Sequence, residues 1–281
     1  MVIGISKANK SKNIIPGFGI SMGITLTMLS IVILIPIASI FIKSSGLSMN
    51  GFFNIITSSE VISAYKVSFT CAFVAAIINS IFGTILAWIL VRYDFPFKKF
   101  LDGLIELPFA LPTAVAGIAL TSLYSDKGFI GKIFNNFGIK IAYTKLGIII
   151  AMIFIGIPFV VRAIQPILEK IDPQYEEAAS ILGSGSKRTF FKIIFPEILP
   201  GILTGFGLAL ARAIGEYGSV VFIAGNIPYE TQIAPLLIMM KLEQYKYADA
   251  TAIAIVMLVI SFTILFVLNL VQAYVNKITN K

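Results

Sequence analysis

Residues 172–200 read Asp172-Pro-Gln-Tyr-Glu-Glu-Ala-Ala-Ser-Ile-Leu-Gly-Ser-Gly-Ser-Lys-Arg-Thr-Phe-Phe-Lys-Ile-Ile-Phe-Pro-Glu-Ile-Leu-Pro200. This polar stretch separates two apolar runs, and its first part is punctuated as a helix. Asp172 is a capping residue and Pro173 suits a first turn. Glu176 and Glu177 stand at the positive end of the helix dipole. Gly183 is placed to end the helix in the left-handed conformation. The reciprocal capping box is incomplete, because Tyr175 stands where Glu or Gln would reach back. The pattern predicts a helix over 173–182, roughly 15 Å long. It is a short acidic rod centred on Ala178 and Ala179, of a kind that another protein can grip. Residues 186–195 predict a second short amphipathic helix. Phe190, Phe191, Ile194 and Phe195 form its apolar side, with Lys187, Arg188 and Lys192 toward the surface or lipid headgroups.

Outward from this stretch the chain is apolar. Of its 281 residues 57% are hydrophobic and 13% charged, with a mean hydropathy of +0.92. A soluble domain carries about 25% charge, so the composition predicts an all-α integral membrane protein. Runs with no charge cover 13–42, 67–91, 107–125 and 250–276, while 146–168 is interrupted by Arg162 and 198–224 by Arg212 and Glu216. About 20 apolar residues cross a bilayer, so six transmembrane helices are expected. The basic start (Lys7, Lys10, Lys12) precedes an uncharged run of 30 residues. That is longer than the apolar region of a signal peptide, and it is read as a retained first span. With the N-terminus inside, twelve Lys and Arg outside the spans fall on the inner side and eight on the outer. This bias puts both termini and residues 172–200 in the cytoplasm. The chain reads as one membrane domain over 1–281, with a cytoplasmic loop at about 169–200.

The net charge of +8 is scattered among loops, without a basic tract interleaved with aromatics, so no nucleic acid partner is expected. There is no histidine and one cysteine, Cys71. That excludes histidine triads, His/Cys metal sites and an intrachain disulfide, and Cys71 is read as a buried small residue. Gly183-Ser-Gly-Ser-Lys-Arg-Thr189 lacks the spacing and the strand of a P-loop. Any ATP chemistry belongs to another chain.

Five features in or beside the spans carry a structural reading, and three of them a functional one as well. Gly201, Gly205, Ala209 and Ala213 form one small-residue row, and Gly207, Ala211, Gly215 and Ser219 another. Such rows serve packing within the bundle, a subunit interface or a narrow route. Arg212 and Glu216, one turn apart, make a structural clamp or a route-facing pair in which Arg212 draws an anion. Pro108 and Pro112 kink the third span, for packing or to line a pore. Asp102 and Glu106 show no titrating partner and are read as interfacial. Arg162 is read as snorkelling to the inner interface.

Glu176-Glu-Ala-Ala-Ser-Ile-Leu-Gly183, followed by Ile198-Leu-Pro200, resembles the EAA loop of ABC-importer permeases. Glu106-Leu-Pro-Phe-Ala-Leu-Pro-Thr-Ala-Val-Ala-Gly117 and Ala211-Arg-Ala-Ile-Gly-Glu-Tyr-Gly218, continuing to Pro228, are similar to sulfate/thiosulfate permeases, with molybdate permeases as close relatives. The resemblance covers roughly residues 15–275. It implies a type I ABC importer permease (MetI-like) fold in the cell membrane. The implied function is ATP-driven import of sulfate or thiosulfate, with molybdate or tungstate as the alternative. It further implies a cytoplasmic ABC ATPase dimer, a second permease subunit (sister or identical) and an extracytoplasmic anion-binding protein. No cofactor is implied on this chain, ATP and Mg being held by the ATPase. Glu176, Glu177, Ala178, Ala179 and Gly183 become the coupling residues, and Arg212, Glu216, Pro108 and Pro112 candidates for the route. A self-contained ion-coupled carrier or channel, using Arg212 and Glu216 for coupling, is the reading from a different class.

Overall fold

A backbone crossing lipid must satisfy its own hydrogen bonds, and a helix does so within one segment. The computed structural model describes residues 18–279, and the helices are α1 (Phe18–Ser44), α2 (Met49–Ile56), α3 (Ser59–Arg92), α4 (Lys98–Ala110), α5 (Thr113–Tyr124), α6 (Phe129–Asn135), α7 (Lys145–Lys170), α8 (Gln174–Ile181), α9 (Ser186–Ile214), α10 (Val220–Ile223), α11 (Ala234–Glu243) and α12 (Tyr247–Thr279). The basic start, the first residues of the expected first span and Lys281 lie outside the described residues. Among the described residues α1, α3, α7, α9 and α12 are long and apolar enough to cross a bilayer. The bent pair α4–α5 makes a sixth crossing when taken as one span.

The third span therefore differs from the straight helix expected over 107–125. Its halves meet at 113°. A residue before proline is pushed out of the helical region, and Leu111, preceding Pro112, is extended at φ −86°, ψ 133°. Pro108 stays inside α4, buried. The kink belongs to Pro112 alone.

Two further expectations are corrected. The amphipathic stretch 186–195 is not a separate helix but the first turns of α9, joined to the rest by a π turn at Phe190–Ile194. Pro196 follows that turn, as Pro36 follows the π turn Ser30–Leu34 in α1. Proline removes a donor and crowds the preceding turn, and one extra residue in the turn relieves both. The fifth span also ends at Ile214 rather than near 224, so Glu216 lies beyond the helix that carries Arg212.

α3, α7 and α9 form the centre. Lipid tails are as apolar as leucine, so helices associate in membranes through close packing more than by expelling water. The row Gly201, Gly205, Ala209, Ala213 is buried against α7, which is the packing reading of that row. A Cβ on Gly205 would come 2.7 Å from the Val160 Cα, and one on Gly83 of α3 would come 2.7 Å from the Val160 Cγ1. The second row is cut short, Gly215 and Ser219 lying beyond α9, and at its start a Cβ on Gly207 would meet only Leu268 of α12, at 3.9 Å. Along this axis one buried cluster gathers Ala72, Ala76, Met152, Leu210 and Ile223, and a second, toward α8, gathers Leu90, Val161, Ile164, Leu168 and Ile198. α1 buries nothing along Phe18–Leu29 and sits at the periphery beside α12.

Gly205→Leu is expected to destabilise the protein by about 2 kcal/mol or more, because backbone contact leaves no room for the side chain. Gly207→Ala is expected to be neutral. Thermal melting in detergent, followed by loss of the monodisperse species, reads both.

Candidate functional site

The helix expected over 173–182 is present as α8, and its ends are closed by the residues anticipated. The Asp172 carboxylate accepts from the Gln174 N–H at 2.9 Å. At the other end Gly183 has φ +79°. The Ser184 N–H donates to the Ala179 carbonyl and the Gly183 N–H to the Ser180 carbonyl, both at 2.9 Å. That double closure satisfies the last carbonyls and turns the chain sharply toward α9.

The four central coupling candidates do not share one face. Glu176 and Ala179 turn toward the bundle, while Glu177 and Ala178 are exposed. Glu176 Oε1 is 3.0 Å from Arg92 Nε, off the line of the N–H, so the contact is an ion pair rather than a hydrogen bond. Arg92 closes α3, and its Nη2 also donates to the Ile171 carbonyl at 3.0 Å. Its guanidinium lies 5.7 Å from the Trp88 ring centroid, and Trp88 meets the edge of Phe190 at 5.5 Å. One arginine thus joins the end of α3, the entry to α8 and, through Trp88, the start of α9. Behind this joint is a cavity of about 240 Å³ lined by Tyr93, Ser180, Ser184 and Thr189 among others.

The outward side of α8 sets large apolar residues among the exposed polar Gln174, Glu177 and Ser180. Ile181 and Leu182 are 86% and 87% exposed, and Tyr175 is exposed beside them. A groove of about 620 Å³ runs between this face and α9, lined by Tyr175, Ala178, Leu182, Gly183, Arg188 and Lys192. Exposed large apolar residues on a polar projection mark an interaction surface.

Inside the bundle Pro112 and Arg212 come into one region. The backbone of Ser219 lies so close to α5 that a Cβ on Gly117 would stand 2.5 Å from the Ser219 carbonyl oxygen. Arg212 pairs with Glu216, whose Oε1 accepts from the Ser219 N–H at 2.9 Å and Oγ at 3.0 Å. Pro108 is buried within α4 and lies on the other limb of the bend.

Three elements escape the sequence reading. Arg92 is hidden by its distance along the chain from Glu176, its one signal being its place as the first charge after a 25-residue apolar run. Asp102 and Glu106 do have a partner: Arg162 Nη1 is 2.8 Å from Asp102 Oδ1 and Nη2 is 2.6 Å from Glu106 Oε1. Arg162 therefore ties α4 to α7 instead of snorkelling. The i, i+4 carboxylates opposite a lone span arginine were the available clue. The exposed apolar trio Tyr175, Ile181 and Leu182 lies outside the Glu-Glu-Ala-Ala motif, its signal being large apolar residues in an otherwise polar stretch.

A bundle of apolar helices with a short, capped and largely exposed helix between two of them is compatible with a membrane transport subunit. The family model for the binding-protein-dependent transport system inner membrane component matches residues 79–281. The chain belongs to that family and is a transport subunit rather than an enzyme. It is 44% identical over 266 residues to the sulfate transport system permease protein CysT of Salmonella typhimurium, covering 95% of this chain and 96% of that one. It is 46% identical over 257 residues to the protein of the same name from Synechocystis sp., covering 92% and 90%. Among solved structures it is similar to a bacterial ABC transporter involved in the import of the acidic polysaccharide alginate, with a TM-score of 0.76 at 16% identity over 92% of this chain and 96% of that one. That last likeness is one of fold.

Arg92→Ala is expected to raise amide hydrogen exchange across residues 174–184 about tenfold, by freeing the lever from the bundle. The amides of α7 near Val160 should keep their protection. Arg92→Lys keeps the charge but not the fork, and should fall between.

Proposed function

We propose that this chain is the membrane permease subunit of an ATP-driven importer of sulfate or thiosulfate. Residues 18–279 act as one membrane domain, and α8 is its coupling lever. The observation that carries the coupling is α8 itself: capped at both ends, anchored inward through Glu176 and Arg92, and presenting exposed Tyr175, Ile181 and Leu182 outward. The substrate class rests on identity of 44–48% over most of the chain with proteins named as sulfate permeases.

In this reading the α8 end faces the cytoplasm, as the Lys/Arg bias also favours, and so do both termini. A cytoplasmic ABC ATPase dimer supplies ATP, Mg and force. One ATPase subunit seats Tyr175, Ile181 and Leu182 in its own groove, with Glu177 and Ala178 at the edge of the contact. Glu176, Ala179 and Gly183 fix the lever to the bundle and set its angle. Closure of the ATPase then moves α8 with α3, α7 and α9 as a body, a rigid rotation that alternates access. A second permease subunit, sister or identical, forms the other half of the route. A binding protein on the far side delivers the anion. Pro112 sets the bend beside the route, Pro108 packs the limb below it, and Arg212 with Glu216 supplies polar contact along it. No proton transfer to the substrate is needed.

The test is ATP-driven uptake of [35S]sulfate by proteoliposomes holding this chain, its sister permease, the ATPase and the binding protein. Leu182→Glu is expected to cut uptake and co-purification of the ATPase about tenfold or more, as loss of an apolar anchor does, while membrane insertion is unchanged. Gly183→Ala adds a Cβ with no atom within 4 Å and acts only through the backbone at φ +79°. It should uncouple ATP hydrolysis from uptake. Full uptake in both variants contradicts the lever. Uptake of molybdate without uptake of sulfate reassigns the substrate.

A further inference from the structure

Arg212 is the cation inside the spans that the lever does not use. It sits in the last turn of α9. α9 runs antiparallel to α7, with Gly201 beside Ile164, Gly205 beside Val160 and Ala209 beside Gly156. Continuing that register puts Arg212 near residue 153 of α7, about 12 Å along that helix from Lys145. It therefore lies within the membrane, in the half remote from α8.

The group that holds it is unusual. Glu216 is 1% exposed, and both of its oxygens are engaged. One pairs with Arg212 Nη1, and the other accepts two hydrogen bonds from Ser219, at 2.9 Å from the N–H and 3.0 Å from Oγ. Ser219 is itself buried, its backbone wedged against Gly117 of α5. The carboxylate therefore has one orientation, and it fixes one edge of the guanidinium. Nε and Nη2 of Arg212 find no partner among the described residues, and the side chain is 34% exposed. Leu208 and Gly215, which share its helical face, are exposed as well.

A guanidinium with an open edge donates two parallel N–H groups, the geometry that takes a tetrahedral oxyanion. In a low-dielectric setting an uncompensated arginine would hold a dianion too firmly to release it. A carboxylate locked behind the guanidinium opposes that attraction without blocking the open edge. We propose that Glu216, fixed by Ser219, is a positioning residue for the substrate: it orients Arg212 toward a divalent tetrahedral oxyanion and weakens the contact enough for the anion to move on. This inference rests on the oxyanion-importer reading and adds the residue that sets residence time in the route.

The test uses the assembled permease pair with its ATPase in lipid nanodiscs. Two quantities are read: equilibrium binding of [35S]sulfate without the binding protein, and ATP-driven turnover with it. Glu216→Gln keeps an acceptor for Ser219 and removes the charge. It is expected to assemble at normal yield, to bind sulfate about tenfold more tightly, and to turn over several-fold more slowly. Arg212→Gln added to Glu216→Gln should abolish that gain, and Arg212→Lys alone should bind more weakly than wild type despite its charge. Ser219→Ala removes the Oγ bond and keeps the N–H bond, so the loosened carboxylate presses harder on Arg212, and binding is expected to weaken about threefold. It carries the test if Glu216→Gln does not assemble. Unchanged sulfate binding in Glu216→Gln, or in Ser219→Ala where that variant stands in, overturns the proposal. So does Arg212→Lys equal to wild type. In either case wild-type sulfate transport would leave the importer reading intact, whereas a wild-type complex that moves no oxyanion would sink that reading itself.

Discussion

At Val160 three helices meet with no side chain on two of them. Gly205 lets the backbone of α9 touch the backbone of α7, and Gly83 of α3 receives the Val160 side chain from the other side. In lipid, where apolar surface gains little from hiding, such contact is what makes a bundle stiff. Interiors packed this closely do not deform gradually; they move as bodies or rearrange between discrete states. A transport subunit driven through α8, as proposed, needs that property. A push on a soft bundle would be lost in side-chain rearrangement before it reached the far end.

The lever is connected to this stiff centre at more than its own chain ends. The path from α7 into α8 passes Ile171 and Asp172, and the path out passes Gly183. Arg92 adds a third attachment, from α3, by binding the Ile171 carbonyl and Glu176 together. The side chain of Arg92 is largely buried, which strengthens its contacts relative to exposed pairs. At the remote end the bundle is less uniform. The bend between α4 and α5 and the end of α9 leave backbone and charge within the membrane region. There Ser219 satisfies one oxygen of Glu216 and Arg212 Nη1 the other, which leaves one edge of the guanidinium open. Non-helical backbone at membrane depth is tolerated where protein or a water-lined space surrounds it. The bundle is thus stiff near α8 and polar near the break.

The parts legible in the sequence were those governed by local rules. Asp172 and Gly183 bracket α8 because caps and left-handed closures depend on neighbouring residues, and both formed as read. The charge-free runs located the spans for the same reason, each needing only its own length. The parts that stayed hidden depend on partners far along the chain. Two prolines one turn apart announce a kink at 108–112, but not that Pro112 breaks the span while Pro108 is absorbed; the packing of α5 on Ser219 accompanies that choice. The amphipathic look of 186–195 suggested a separate helix, because a π turn that accommodates Pro196 leaves no punctuation. Arg92, 84 positions before Glu176, carries no local sign of its role. The periodicity of α8 did contain the difference between Ala178 and Ala179, one outward and one inward, but family motif and face are different kinds of information.

Whether the lever and the α3–α7–α9 centre move as one body is measured by the distance between spin labels within a single chain. Cysteines at Glu177 and at Leu146 replace the native residues in a Cys71→Ala background, and the full complex is compared with and without ATP in nanodiscs. Rigid-body motion keeps this intrachain distance within about 2 Å while the distance between the two permeases' α8 helices changes by more. An intrachain shift of about 5 Å or more on nucleotide binding, with Leu146 fixed relative to the rest of α7, would mean a lever that swings on a loose joint, and would contradict it.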